Sequence, residues 1–284
     1  MEHEIQWTPM EIGQLAKHHD LALMLAENHI HIWQVALDCA ATTRDQLASY
    51  LSVDEQERTA RCRFEHHRHH FVVARGCLRL ILGAYLHQPP KAIAFTYSDR
   101  GKPAISPLTL AQAPSSTASG VTFNLSHSGG IALYAVSCDR RVGIDIEVLR
   151  PMPQALQLAQ RFFLKQEYQQ LATLPTAQQE TAFFRGWTRK EAYLKATGEG
   201  LVGLDSVEVS ILPNESPVLY QTDRSIRHTS SPARPNTKQW WIQDLPLSTS
   251  HLAAIVAEYP IPQSPILSYF QLATLKDAPS KGHG

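Results

Sequence analysis

The chain has 284 residues, 43% hydrophobic and 18% charged, with Lys+Arg and Asp+Glu equal at 26 each. That is ample apolar material for a sizeable core, and a formal net charge of zero points to neither nucleic acid nor a membrane surface as a partner. Cys39, Cys62, Cys77 and Cys138 lie far apart with no CxxC pair. This argues against a disulfide framework or zinc site and for free thiols in a cytoplasmic protein. The polar N-terminus lacks the basic and apolar regions of a signal peptide. No apolar run of about 18 residues is present, so no membrane span is expected.

Residues 9–28 read as an amphipathic helix with Leu15, Leu21, Leu23, Met24 and Leu25 on its apolar side, and as an extension to the main fold. His31–Asp38 reads as a strand. Ser52 with Glu55 forms a capping box for a helix to about Phe64. A longer helix spans His66–Leu86, with Phe71, Cys77, Leu78, Ile81 and Leu82 facing inward and Pro89-Pro90 stopping it. Strands follow at Ala92–Tyr97, Val121–Leu125, Ile131–Ser137 and Arg141–Val148, with a small-residue loop, AQAPSSTASG, after the first.

Pro151 and Pro153 mark a hinge. Helices are expected at Gln154–Phe163, Lys165–Ala172 and Ala177–Thr197. Strands are expected near Val207–Leu212, Val218–Tyr220, Lys238–Gln243 and His251–Glu258. Arg224–Thr237 reads as a surface loop, and the tail after Tyr259 as proline-rich and disordered at its tip. Each half mixes helices with mostly antiparallel strands, so the expected fold class is α+β, two similar lobes with a cleft between them. The expected units are an extension (1–30), an N-terminal lobe (31–150), a C-terminal lobe (151–260) and a tail (261–284).

Four segments carry chemistry. In RVGIDIEV, Val142, Ile144, Ile146 and Val148 face one way while Gly143, Asp145 and Glu147 face the other, so two carboxylates project together. Such a pair repels unless a cation intervenes, and its hard oxygens suit magnesium; the alternative is an edge strand with a solvated polar face. In FFRGWTRKEAYLKATGEGL, Glu191 and Lys195 share a helix face, either as site groups or as a surface ion pair, and Gly198 and Gly200 end the helix. In FNLSHSGG, Ser126, His127 and Ser128 precede two glycines and offer phosphate ligands or a plain polar turn. No GxSxG elbow supports a hydrolase nucleophile. In DRGKPAI, Gly101 and Pro103 set a turn that presents Lys102 as a phosphate ligand or merely a turn residue. The cluster His66, His67, His69 and His70 has no acidic or cysteine companion and reads as a polar helix face rather than a metal site. Trp240-Trp241 reads as core.

In order and spacing, GKP, FNLSHSGG, GIDIE, FF-x-x-x-EY and W-x-x-KEA-x-x-K-x-x-G-x-G-L resemble the Sfp-type 4′-phosphopantetheinyl transferases from about Trp33 to Glu258. The resemblance implies two lobes related by pseudo-twofold symmetry, with the active site between them. The N-terminal lobe would bind coenzyme A, and the C-terminal lobe the metal and carrier. It implies Asp145, Glu147 and Glu191 as ligands of magnesium, which manganese can replace. Lys102, Ser126 and His127 would lie at the 3′-phosphate and adenosine end of coenzyme A. Lys195 would stand at the reacting phosphate, with Lys190 nearby. Arg58, Arg61 or Arg75 would add charge at the nucleotide end, and Glu167 would be a further site carboxylate. Glu191, or a water ordered by the metal, would take the proton of the attacking serine.

The implied activity moves the 4′-phosphopantetheine arm of coenzyme A to a serine of an apo acyl or peptidyl carrier protein, releasing adenosine 3′,5′-bisphosphate. Two lobes in one chain suggest a monomer. The competing readings are a magnesium-dependent phosphohydrolase and a non-enzymatic coenzyme A or carrier-binding module. A complete set of three carboxylates with Lys195 argues against the second.

Overall fold

Apolar alternation in His29–Ala36 (β2), Val121–Ser128 (β5) and Ile131–Cys138 (β6) builds the middle of a five-stranded sheet. The computed structural model describes residues 6–16, 25–113, 120–221, 240–258 and 264–274. β2, β6 and β5 pair antiparallel. Ile266–Ala273 (β12) joins β2 in parallel, and Thr8–Glu11 (β1) joins β12 in parallel. A second sheet, in the order β10–β11–β7, is made of Trp240–Asp244 (β10), His251–Glu258 (β11) and Val142–Val148 (β7).

The layers run helix, sheet, sheet, helix. Glu65–Leu86 (α4) covers the outer face of the first sheet, packing with Trp33, Val35, Phe123 and Tyr134. Ile30, Ile32, Leu133 and Ala135 on its inner face meet Val142, Ile144, Ile146 and Ile255 of the second sheet. Thr176–Thr197 (α8) covers the far face of the second sheet through Phe184, Ala192 and Tyr193 against Ala254 and Val256. The result is the two-lobed α+β fold, each lobe having a 22-residue helix laid on a sheet.

Departures from the expected elements have physical causes. The expected helix over 9–28 is instead β1 followed by Ile12–Ala16 (α1), with residues 17–24 outside the described set. The segment read as tail contributes β12, because Phe270 stacks on Trp33 at 4.6 Å and Leu272 is buried. The strand expected from Ala92 begins at Phe95 (β3, Phe95–Tyr97), since Pro90–Ala92 makes a 3-10 turn. Two short helices, Ala41–Ala48 (α2) and Pro107–Gln112 (α5), had no sequence expectation. α2 explains why burial on α4 is continuous from Val72 to Leu86 rather than confined to one face: Gly76 lets the Leu47 side chain and backbone approach α4 closely.

The remaining elements fall close to expectation: Val53–Ala60 (α3), Ala155–Phe162 (α6), Lys165–Thr173 (α7), Val207–Val209 (β8) and Leu219–Gln221 (β9); Pro103–Ile105 (β4), which pairs with β3, had no sequence expectation. Ser52 N donates to Glu55 Oε2 at 3.0 Å, so the capping contact at α3 is present. Trp240 is buried in the core, as read. The loop expected over Arg224–Thr237 and the tip of the tail lie outside the described residues, as does most of AQAPSSTASG. No helix among the described residues is long and apolar enough to cross a membrane.

Candidate active site

β7 and α8 place the expected carboxylates because the helix lies directly on the strand. At Gly143 a Cβ would overlap the Ala192 carbonyl and the Ala196 backbone, so only glycine admits the helix at this distance. Two residues on, Asp145 faces the same helix. Its Oδ1 accepts from Lys195 Nζ at 2.7 Å and from Ser126 Oγ at 2.8 Å. Lys195 Nζ also lies 2.8 Å from Ser126 Oγ. Asp145 Oδ2 is buried without a hydrogen-bond partner. Gly198, at φ 81°, then ends α8 with its N–H on the Leu194 carbonyl at 2.8 Å.

β5 contributes through a seam of side chains rather than a backbone ladder. Asn124 Oδ1 accepts from Ile144 N at 2.9 Å. Ser128 Oγ accepts from Val148 N at 3.1 Å and donates to Glu147 Oε2 at 3.1 Å. Because β residues alternate, Asn124, Ser126 and Ser128 all address β7 while Phe123 enters the N-terminal core. The Gly129-Gly130 turn has φ of 57° and 80°, the backbone needed for a two-residue hairpin.

Burial pushes the Asp145 carboxyl above the ordinary carboxylate range, against the pull of Lys195 and Ser126, and Glu147 adds to the rise. Burial also raises Glu191, with Asp145 next and Glu147 contributing, partly offset by Lys195. The carboxylates thus sense one another. Among the described residues, however, no three groups of metal-binding type converge into a closed cage. The triad expected from the sequence is open here because Lys195 occupies Asp145 Oδ1 while Glu147 turns to Ser128 and to Arg150 at 3.3 Å.

Beside these groups is a cavity of about 360 Å³, within the usual range for ligand sites. Cations dominate its charged lining: Arg58, Arg75, Arg100, Lys102 and Lys195, with Glu191 the one acidic residue. His127 also lines it. Burial lowers His127, helped by Lys195, His70 and His67. Burial lowers Lys102, helped by Arg141. Lys102 Nζ donates to the Lys195 carbonyl, from a turn closed by Gly101 N on the Ser98 carbonyl at 2.8 Å. Arg75 is held by Glu55 at 3.4 Å and keeps Nη1 buried without a partner.

Several expected site residues lie elsewhere. Lys190 is fully buried in the C-terminal lobe, paired with Glu167 at 2.8 Å and donating to the Leu204 and Val207 carbonyls, so it does not reach the cavity. Glu167 is equally buried and accepts from Leu164 N at 2.7 Å and Val209 N at 2.8 Å, tying α7 to β8. Burial raises Glu167 and lowers Lys190, each opposed by its partner. Ser126 points into the Asp145–Lys195 pair rather than the cavity. Arg61 is exposed and faces Glu57 at 3.4 Å. In the histidine cluster, His70 meets Asp38 at 2.8 Å and His69 meets Glu65 at 3.4 Å, so the cluster has acidic companions where the sequence reading expected none; Asp38 comes from a segment remote in the chain.

Sequence reasoning missed Arg100, Asn124 and the second role of Glu55. Arg100 stood inside the quoted DRGKPAI and Asn124 inside FNLSHSGG; alternation along β5 would have put Asn124 beside Ser126. Glu55 was read only as a cap, yet it also holds Arg79 at 2.7 Å inside the core.

Two family models cover most of the chain. One, described as 4′-phosphopantetheinyl transferase superfamily, matches residues 141–250. The other, described as 4′-phosphopantetheinyl transferase, N-terminal, matches residues 40–139. The 4′-phosphopantetheinyl transferase HetI of Nostoc sp. strain PCC 7120 is 44% identical over 200 residues, 70% of this chain and 81% of the relative. The chain belongs to the 4′-phosphopantetheinyl transferase superfamily. This transferase is also similar to psf-1 of Bacillus pumilus, at 34% identity over 63% of the chain and 76% of the relative. Sfp of Bacillus subtilis strain 168 is 29% identical over 59% and 69%. The N-terminal model ends just before β7 and the superfamily model begins at Arg141, so β7 opens the second matched region.

Proposed function

We propose that the transferase moves the 4′-phosphopantetheine arm of coenzyme A onto a serine of an apo acyl or peptidyl carrier protein, with magnesium as its cofactor. One observation supports this above the rest: the Asp145–Lys195–Ser126 group and Glu191 adjoin a cavity whose other charged lining residues are all cations. A carboxylate centre beside a cation-lined cleft suits a ligand that carries phosphate and reacts at one.

The residues fit a divalent cation. Asp145 Oδ2 is a buried oxygen without a partner; beyond the effect of burial, Asp145 and Glu147 raise the Glu191 carboxyl, and Glu147 raises Asp145. Asp145 and Glu191 would hold the ion, with Glu147 on the same strand face and the donor's own oxygens completing a hard, oxygen-only shell. When bound, magnesium neutralises the diphosphate and polarises its oxygens.

The serine hydroxyl of the carrier attacks the pantetheine-side phosphorus. A new oxygen–phosphorus bond forms, and the bond to adenosine 3′,5′-bisphosphate breaks. Lys195, freed from Asp145, stabilises the charge gathering on the transferred group. Glu191 stands in the cavity wall to accept the serine proton, and its burial-raised carboxyl is better matched to that task than an exposed one. Arg58, Arg75, Lys102 and His127 line the part of the cavity suited to the nucleotide end. The reading includes a cytoplasmic monomer whose nucleophile comes from the carrier.

The test is incubation with coenzyme A, magnesium and a panel of apo carriers, read by intact mass, with a chelator arm. Carrier gaining the mass of phosphopantetheine only with metal present is expected. Full activity in excess chelator overturns the metal assignment; adenosine bisphosphate released without any carrier modification indicates hydrolysis.

A further inference from the structure

Two sheet edges meet at the candidate site without sharing a backbone ladder. Among the described residues β7 ladders only to β11, and β5 is the last strand of the five-stranded sheet. The N–H groups on the other edge of β7 therefore need partners from side chains. Asn124 Oδ1 accepts from Ile144 N at 2.9 Å, and Ser128 Oγ accepts from Val148 N at 3.1 Å. Between them Ser126 Oγ donates to Asp145 Oδ1 at 2.8 Å. Three alternate side chains of β5 thus hold β7 in register.

Asn124 is the unusual member of this set. Asparagine is a poor strand residue, and this one is 4% exposed. An amide buried in mid-strand is costly unless its groups are used. Its oxygen is used on the peptide that joins Gly143 to Ile144. That peptide is fixed from two directions. α8 lies against Gly143, where a Cβ would overlap the Ala192 carbonyl and the Ala196 backbone, and Asn124 holds the next N–H. Asp145 follows directly, and Lys195 reaches it from the same helix. A slip of β7 along β5 would carry Asp145 away from Lys195 and Glu191 together. Asn124 also lines the cavity. Its oxygen is nevertheless committed to the strand, which puts its influence at the carboxylates rather than at the donor.

We propose that Asn124 is a positioning residue of this transferase: through Ile144 N it fixes the β7 backbone so that Asp145 faces α8 where, with Glu191, it can hold a divalent cation. Asn124 acts through the backbone and is not itself a ligand. The inference rests on the metal role proposed above for Asp145 and Glu191.

The experiment compares wild type, Asn124→Ala and Asn124→Ser. Alanine removes the acceptor. Serine differs from alanine only by a hydroxyl, the group that makes the equivalent contact at Ser128. Three quantities are read on the folded fraction. They are the manganese Kd at saturating coenzyme A without carrier, from the spin-resonance signal of the free ion; kcat with a saturating apo carrier; and the calorimetric Kd of coenzyme A in chelator. Asn124→Ala weakens manganese binding and lowers kcat by roughly tenfold to a hundredfold each, the usual cost of losing a group that orients a metal ligand. Coenzyme A binding in chelator is unchanged. Asn124→Ser recovers part of both losses, and gives the same readings against wild type if Asn124→Ala does not fold. Normal manganese affinity and kcat in folded Asn124→Ala overturn the proposal and leave Asn124 a packing residue. Weaker coenzyme A binding in chelator at unchanged manganese affinity also overturns it, by making Asn124 a donor ligand. Serine no better than alanine assigns the loss to volume and overturns it too. Wild type that takes up manganese yet modifies no carrier sinks the transfer reading instead, and the manganese constants still decide the role of Asn124.

Discussion

Lys195 Nζ lies 2.7 Å from Asp145 Oδ1, joining the last turns of α8 to the middle of β7 at the point where both lobes meet. The lysine neutralises a buried carboxylate; under the proposed function, substrate and metal would take its place. Asp145→Ala and Glu191→Ala are expected to reduce transfer on the order of 100-fold or more, equivalent to about 3 kcal/mol of transition-state stabilisation. Glu147→Ala is expected to be the mildest, since Glu147 is half-buried and already shared with Ser128 and Arg150. Initial rates at saturating magnesium, with circular dichroism to check folding, decide the matter. A near-normal rate removes the residue concerned from the metal shell.

Gly143 sets the separation of strand and helix that makes this contact. Gly143→Ala is expected to force α8 away from β7, because the new methyl meets the Ala192 carbonyl and the Ala196 backbone rather than a flexible side chain. Overpacking of this kind typically costs about 1–3 kcal/mol. Transfer should fall further than stability alone explains, since Glu191 and Lys195 move with the helix. Thermal melting together with kcat on the folded fraction tests this. Unchanged values of both would show that the helix can shift freely.

The Lys190–Glu167 pair is structural. Lys190→Met leaves Glu167 in the core without its cation, held only by the Leu164 and Val209 N–H groups, and is expected to destabilise the fold by about 3–5 kcal/mol. The double change Lys190→Met with Glu167→Leu should recover much of that loss. Urea unfolding measures both. Donor KM for the folded fraction of the single variant should match wild type; a large rise in KM would return Lys190 to the donor site.

His31 introduces an acid-sensitive point in the N-terminal lobe. Trp33 Nε1 donates to the Tyr85 hydroxyl at 2.9 Å, and that hydroxyl faces His31 Nδ1 at 2.7 Å, an arrangement that uses the imidazole as acceptor. Burial, with His29 adding to it, lowers His31 to about 4. A base depressed in the folded state stabilises fully above its unfolded pKa of about 6.5, and that stability is lost as pH falls toward the folded value. The gap corresponds to about 3 kcal/mol at most. His31→Gln should be less stable than wild type at pH 7.5, with the difference narrowing by pH 5. Parallel urea-midpoint curves for the two proteins would assign the acid sensitivity to other groups.

Local pattern carried much of this protein. Alternation in Arg141–Val148 named that strand and its carboxylate face, and the four-residue step from Glu191 to Lys195 put both on one side of α8. Those are properties of neighbouring residues, and the backbone periods of strand and helix translate them directly into direction. The same logic failed where burial depends on remote partners. Lys190 is adjacent to Glu191 and looks like a site cation, yet one residue rotates it about 100° around the helix, into the core against Glu167. Ile266–Ala273 looks like a tail because nothing nearby in sequence needs it, while in space it is the strand beside β2. Sequence alone determined the chemistry available, carboxylates, lysines and a turn that presents Lys102, because chemistry belongs to residue types and short spacings. Tertiary packing decided which of them meet: Ser126 on Asp145, Arg75 on Glu55 and Arg100 at the cavity rim, each set by contacts between segments far apart in the chain.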